Sequence, residues 1–99
     1  MYSYFLTVEA DSDLDDIFEY SVRQWGENQA DRYITQLQEA VLKLCENPKI
    51  AKCRTDLSKN TYSFPVQQHV VYFDLVDNSL IIWAIHHKNR LPYYELDLY

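Results

Sequence analysis

Eight side chains in the second half of the sequence can move a proton or hold a negative charge: Arg54, His69, Tyr72, His86, His87, Lys88, Arg90 and Tyr94. Histidine has the ordinary pKa nearest neutrality, so each of the three can serve as general base or general acid. Arginine and lysine can steady an oxyanion as it forms. Spacing limits how these groups combine. His86 and His87 are neighbours in what reads as a strand, so they point to opposite faces and at most one is expected at any one site. The commoner role of a lone histidine is a packed, hydrogen-bonded one. Cys45 and Cys53 are the only cysteines, and no Cys-x-x-Cys unit exists to begin a zinc site. No metal or cofactor is expected, and both thiols are expected to be free.

Charge divides the chain. Residues 1–48 carry three bases against ten acids, a net of −7, whereas residues 49–99 carry six against five, a net of +1. The total of −6 weighs against broad binding to nucleic acid, which needs clustered lysine and arginine. One basic island stands out: Lys43, Lys49, Lys52, Arg54 and Lys59, interrupted by Glu46 and Asp56. Scattered surface lysines are more often a solvated rim than a site. No run of 18 apolar residues is present, and the start of the chain lacks the basic and apolar regions of a signal peptide. A cytoplasmic protein with no membrane contact is expected, built as one domain over residues 1–99.

The elements that must position these groups are legible from periodicity. Tyr2 to Val8 alternates loosely and is rich in aromatic and β-branched types, which predicts a strand. An acidic run from Glu9 to Asp16 suits a helix N-terminus. Ala10, Leu14, Ile17, Phe18, Val22 and Trp25 then form an apolar stripe at helical spacing. Gly26, the only glycine, follows and predicts a left-handed helix end. Asn28 is the expected cap of a second helix, with Asp31 three residues on. Its stripe is Ala30, Tyr33, Ile34, Leu37, Val41 and Leu44, and Asn47-Pro48 ends it.

Three strands are expected after the helices. In the first, Tyr62, Phe64 and Val66 share a face. In the second, Val71, Phe73 and Leu75 oppose Val70, Tyr72 and Val76. The third, Leu80 to Ile85, is apolar on both faces and reads as a central strand. Gln67-Gln68 and Asp77-Asn78-Ser79 are the expected turns. Leu91, Tyr94 and Leu98 allow a short helix or a packed extended tail. The fold class is α+β, β-α-α-β-β-β, with an antiparallel helical hairpin packed on a small, mainly antiparallel sheet.

This order resembles the RelE/ParE superfamily of toxins from type II toxin-antitoxin systems, the ParE branch most closely. Leu6-Thr7, Ala10 and Asp13-Leu14 resemble the start of the family's first helix. Trp25-Gly26 and Gln29-Ala30 resemble its helix junction, and Asn47-Pro48 and Arg54 its post-helix loop. His69 and His87, within "HVVYF" and "IHHK", resemble its sheet positions. Family members often have glycine where Asn60 stands and arginine near Ala84, and many are basic where this chain is acidic.

The resemblance implies inhibition of DNA gyrase by binding, without catalysis, and neutralisation by a cognate antitoxin, ParD-like or other. No direct contact with nucleic acid is expected. The alternative is a RelE-like, ribosome-dependent messenger ribonuclease, in which His87, Arg54 and Tyr94 would be catalytic. A non-toxic α+β interaction module is the third reading. For a binding toxin, Lys49, Lys52, Arg54, Lys59, Lys88 and Arg90 are the target-facing candidates. Two amphipathic helices across a small sheet leave a groove in which a disordered partner segment can fold. Tyr33, Leu37 and Tyr62 are the candidate antitoxin contacts, with Trp83 as core support. The net of −7 over residues 1–48 predicts a partner segment rich in lysine and arginine.

Overall fold

Thr7 begins the first helix. Its extended backbone turns the chain, and its hydroxyl accepts a hydrogen bond from the Ala10 amide at 3.2 Å, satisfying one of the orphan donors of the first turn. The computed structural model describes residues 1–90. Strand β1 (Ser3–Leu6) leads into helix α1 (Val8–Trp25) and helix α2 (Glu27–Glu46), and a 3-10 turn (Pro48–Ile50) follows. Strands β2 (Lys52–Cys53), β3 (Thr61–Val66), β4 (His69–Val76) and β5 (Ser79–His87) complete the described chain. The expected Leu91–Tyr94–Leu98 segment lies outside the described residues.

One five-stranded sheet runs in the order β1-β5-β4-β3-β2. Only β1 and β5 pair in parallel; the other neighbours are antiparallel. The two-residue strand β2 adds to the expected strands. It carries no periodic signal of its own and exists because Lys52 and Cys53 reach the register of Ser63 and Tyr62. As expected, β5 lies inside the sheet with apolar side chains on both faces. Gln67 and Asp77 take φ values of 57° and 54° in the tight turns before β4 and β5. Ser79 belongs to β5 rather than to its turn.

The helical hairpin covers one face. Ala10 and Ile17 of α1, and Leu37, Val41, Leu44 and Cys45 of α2, meet Val71, Phe73, Leu80, Ile82 and Ile85 of the sheet in the core. Two expectations fail. Trp25 continues the helical stripe in sequence, yet it is 61% exposed, because the end of α1 overhangs the sheet; it meets Tyr20 edge-to-face instead. Ser21 takes the inward position, 3% exposed. Trp83 is not core support. The β4–β5 register shifts at Tyr72/Phe73: Tyr72 pairs with Ala84 and Phe73 with Ile82, which leaves Trp83 as the extra residue of a bulge. Its indole N–H donates to Asp74 Oδ1 at 3.2 Å, and the Thr61 hydroxyl donates to the same oxygen at 2.6 Å.

Gly26 alone joins the helices. Its amide donates to the Val22 carbonyl and its own carbonyl accepts from Ala30. Its φ of 89° is positive as expected, but a ψ of 168° puts it in a region open essentially to glycine rather than in the left-handed helical well. Because the Gly26 carbonyl already accepts the first bond of α2, that helix starts at Glu27. Asn28 lies within it and is not its cap. A Cβ at Gly26 would meet nothing within 4 Å, so any penalty comes from the backbone itself. Replacing Gly26 with valine should therefore lower the unfolding free energy by about 1–2 kcal/mol. Urea melts read this directly, and an unchanged midpoint would remove the assigned conformation.

Candidate functional site

Strand β1 stops at Leu6, opposite Ile82, while β5 runs on to His87. The edge of β5 beyond Ile82 thus has no strand beside it on that side. Asp13, on the α1 turn that follows, supplies the missing acceptor: its Oδ2 takes a hydrogen bond from the Ile85 amide at 3.0 Å. The same oxygen lies 3.9 Å from His86 Nε2. A backbone donor left unpaired here would be costly, and a carboxylate is a strong replacement for a strand carbonyl.

A groove of about 730 Å³ opens where the overhanging hairpin meets the ends of β4 and β5. One wall is a face of α1: Asp13, Asp16, Ile17, Tyr20, Ser21 and Trp25. These recur at helical spacing. The other wall is Gln29, Tyr33 and Gln36 of α2, and the floor carries Gln67 to His69 and Ile85 to His87. Both His86 and His87 line it, against the expectation that only one would reach a given site. The reason is that the groove wraps around the open edge of β5, so side chains from both faces reach it.

Tyr33 and His69 are locked together. Their hydroxyl and Nδ1 are 2.6 Å apart, the hydroxyl also donates toward the Val66 carbonyl at 3.3 Å, and it accepts from the Gln68 amide at 3.1 Å. The His87 ring meets His69 edge-on at 5.6 Å. Burial, helped by His87, holds the His69 pKa down at about 4. His86 is also lowered, first by burial and then by Arg90, while Asp13 acts in the opposite direction. Burial raises the Tyr33 hydroxyl. At neutral pH His69 is therefore a neutral, hydrogen-bonded ring.

The other candidates lie elsewhere. Arg54 forms a bidentate pair with Asp56 at 3.0 and 2.8 Å, reaches Ser63 Oγ at 3.4 Å, and sits 5.8 Å from the centre of the Tyr72 ring. The ion pair raises its pKa and lowers that of Asp56. Ser63 and Tyr72 belong to the face of the sheet away from the helices, whereas His87 pairs with His69 on the helical side. Arg54 and His87 are thus not brought together, and Tyr94 lies outside the described residues. Lys49, Lys52 and Lys59 are exposed around the start of β3, while Lys88 and Arg90 are exposed at its far end, beside the Gln67–Gln68 turn. Tyr33 lines the groove, but Leu37 is only 2% exposed, in the core beneath it. Tyr62 stacks on Phe73 at 5.5 Å. Cys45, buried, and Cys53, exposed, are free, as expected. No group of three or more metal-ligating side chains occurs among the described residues, and none of their helices is long and apolar enough to cross a membrane.

The family model described as the ParE toxin of type II toxin-antitoxin systems, parDE, matches residues 4–92. The chain belongs to the ParE toxin family. It is 31% identical to Toxin ParE1 of Caulobacter vibrioides over 86 residues, covering 87% of this chain and 90% of that relative. It is 32% identical to Toxin ParE of Escherichia coli over 72 residues, covering 73% and 70%. A chain from the chromosomal ParDE system of P. aeruginosa has a similar fold, with a TM-score of 0.75 and 20% identity over 88% of this chain and 96% of that one. The isolated E. coli RelE toxin has the same general fold at a TM-score of 0.62 and 13% identity, covering 99% of this chain and 96% of that one. The superfamily and its ParE branch are as the sequence implied. Within the ParE frame, reading the sequence missed the groove role of Asp16, Tyr20 and Trp25; their helical spacing was the available signal.

Lowered histidine pKa values set a direction for stability. The unfolded chain binds protons at His69 and His86 near the ordinary pKa of 6.5, and the folded chain does so only at lower pH. Stability should be full above about pH 6.5 and fall as the pH drops toward 4. Between pH 7.5 and 5 the loss should be on the order of 1 kcal/mol, less than full linkage because the His69 ring is partly solvated. Thermal melts should show this slope, and His69→Gln should flatten it. A wild-type melting temperature that does not fall over this range would contradict the assignment.

Proposed function

We propose that this toxin acts by binding DNA gyrase rather than by cleaving RNA, and that a cognate antitoxin neutralises it through the groove. The observation that carries the binding reading is the separation of Arg54 from His87 on opposite faces of the sheet. A ribonuclease needs a base, an acid and a cation around one phosphate. Here the arginine is engaged by Asp56, and the neutral His69 is engaged by Tyr33. The charge of −6 also opposes approach to ribosomal RNA. Family membership supports gyrase as the target.

Lys49, Lys52 and Lys59 are the target-facing side chains in this reading, with Arg54 as the fixed cation among them; Lys88 and Arg90 form a second, distal pair. Tyr33 is the antitoxin contact, with Leu37 and Tyr62 supporting the surface from within the core. The protein acts in the cytoplasm, where its target resides.

Gyrase supercoiling and a translation extract test this together. The purified chain should inhibit supercoiling, and the product of the neighbouring gene should restore it. Lys52→Ala combined with Lys59→Ala should weaken inhibition about tenfold, whereas His87→Ala should leave it within about twofold, since a general acid or base supplies 10²–10⁴-fold in rate and a peripheral contact far less. Messenger cleavage that His87→Ala abolishes without lowering the melting temperature would replace this reading with a catalytic one.

A further inference from the structure

We propose that the outer edge of β1 is a self-association surface, on which a second copy of this chain adds its own β1 antiparallel, with Phe5 opposite Phe5 across a two-fold axis. The inference rests on neither the gyrase nor the antitoxin reading, because this edge runs along Ser3–Leu6, away from the groove.

The first observation is the unpaired backbone. The Ser3 amide donates to the Asn78 carbonyl and the Thr7 amide to that of Ile82, so the odd-numbered residues of β1 turn their polar groups toward β5. The even-numbered ones face outward. The Tyr2 amide is taken by the Cys45 carbonyl of α2. Tyr4 and Leu6 have no strand beside them among the described residues, since β1 ends the sheet. These two positions complement themselves under a two-fold axis. Tyr4 of one copy meets Leu6 of the other, and each such pair exchanges two hydrogen bonds. One register therefore satisfies both outward-facing residues of the strand. The opposite edge of the sheet cannot do this. There the Thr61 carbonyl accepts from Arg54, so Pro65, four positions on, turns to the same side and has no amide to donate.

The second observation is what that register does with side chains. It puts Phe5 directly opposite its counterpart. Within one copy, Phe5 pairs with Ile81 and Ile81 with Asp74, on the face away from the helices. The joined sheets thus carry an unbroken apolar row: Ile81 and Phe5 of one copy, then Phe5 and Ile81 of the other. Tyr4 and Leu6 meet on the helical side. Tyr4, Phe5 and Leu6 are 44%, 56% and 36% exposed, so all three have surface to cover. Aromatic pairs directly opposite each other across two strands are among those that stabilise a sheet.

The third observation is charge, which selects the occupant. Residues 1–8 hold no charged side chain, so the strand offers a basic or acidic segment nothing to pair with. A second uncharged, self-complementary β1 suits it better. The apolar surface covered is roughly 300 Å² per copy, against about 800 Å² per partner in a standard interface. The dimer is therefore weak, with a dissociation constant on the order of 0.1 mM. Each copy carries −6, so long-range repulsion opposes association and added salt should strengthen it.

The test follows the full chain by sedimentation from about 10 µM to about 1 mM, with amide exchange read at Tyr4 and Leu6. Wild type should pass from monomer to dimer, more readily as salt rises to about 0.5 M, and protection of both amides should grow with concentration. Phe5→Lys sets like charges opposite each other and should weaken association about tenfold or more, with an unchanged melting temperature because the position is exposed. Cross-linking reads the register independently of that variant. In a Cys53→Ser background, which removes the exposed thiol, Phe5→Cys should oxidise to a covalent dimer. Ser3→Cys should not, because Ser3 faces Thr7 of the second copy. The interface is refuted if wild type stays monomeric at about 1 mM, if Phe5→Lys associates as readily as wild type, or if Ser3→Cys cross-links as fast as Phe5→Cys. Protection of the Tyr4 and Leu6 amides that does not vary with concentration would also overturn it, since the edge would then be covered from within one chain. A monomeric wild type whose capture of the neighbouring gene product is lost in Phe5→Lys would give the edge to that partner instead.

Discussion

A single hydrogen bond between residues 72 positions apart, from the Ile85 amide to the Asp13 carboxylate, fixes how the helices meet the sheet. The need for it arises from strand length. β1 covers four residues and β5 nine, so the far half of β5 would present a bare edge to solvent or to the core. Helix α1 closes that edge with a side chain instead of a strand. The substitution holds α1 beside the end of β5, and the groove follows from its placement: the acidic and aromatic wall, and the approach of Asp13 to His86.

The sheet also separates two kinds of surface. On the helical side, the Tyr33–His69 pair is neutral, hydrogen-bonded and close to the acidic groove. On the other side, Arg54 leans on Tyr72, whose ring lies 5.8 Å from that of His86. Asp74, half-buried, gathers the Thr61 hydroxyl and the Trp83 indole on one oxygen. These polar groups are largely satisfied by one another, and this is the behaviour of structural polar networks under low local dielectric. Titratable residues that look alike in sequence thus serve different ends, according to the face they occupy.

Much of the architecture was legible because it depends on local period. The stripes from Ala10 to Val22 and from Ala30 to Leu44 gave the helices, and Asn47-Pro48 gave the end of α2. Alternation gave β3 and β4, and the continuous apolar run gave the inner position of β5. What escaped depends on register or on distance. A bulge reverses which residues face the core, so Trp83 could not be placed from alternation. Trp25 obeys helical spacing but lies beyond the sheet it would cover. Strand β2 is too short to have a period. The groove was anticipated as a feature of two helices over a sheet and Tyr33 was placed near it; the spacing of Asp16 and Tyr20 on α1 was there to be read, but the burial of His86 needed coordinates. Arg54 was recognised as a candidate, yet nothing in its spacing showed that Asp56, two residues on, would hold both ends of its guanidinium.

The one-residue joint at Gly26 has a mechanical consequence. Helices of 18 and 20 residues are about 27 and 30 Å long, and a linker of several residues would let them slide along each other. With one residue between them there is no slack for sliding, and the pair behaves as two arms on a pivot. Any change in spacing is an angular opening, large at the arms' far ends and small beside the pivot. Trp25 and Gln29 sit next to the pivot and would move least. The Trp25–Gln29 end of the groove is thereby built where an angular opening moves it least, whereas Asp13 and Asp16, further along α1, would travel with the arm.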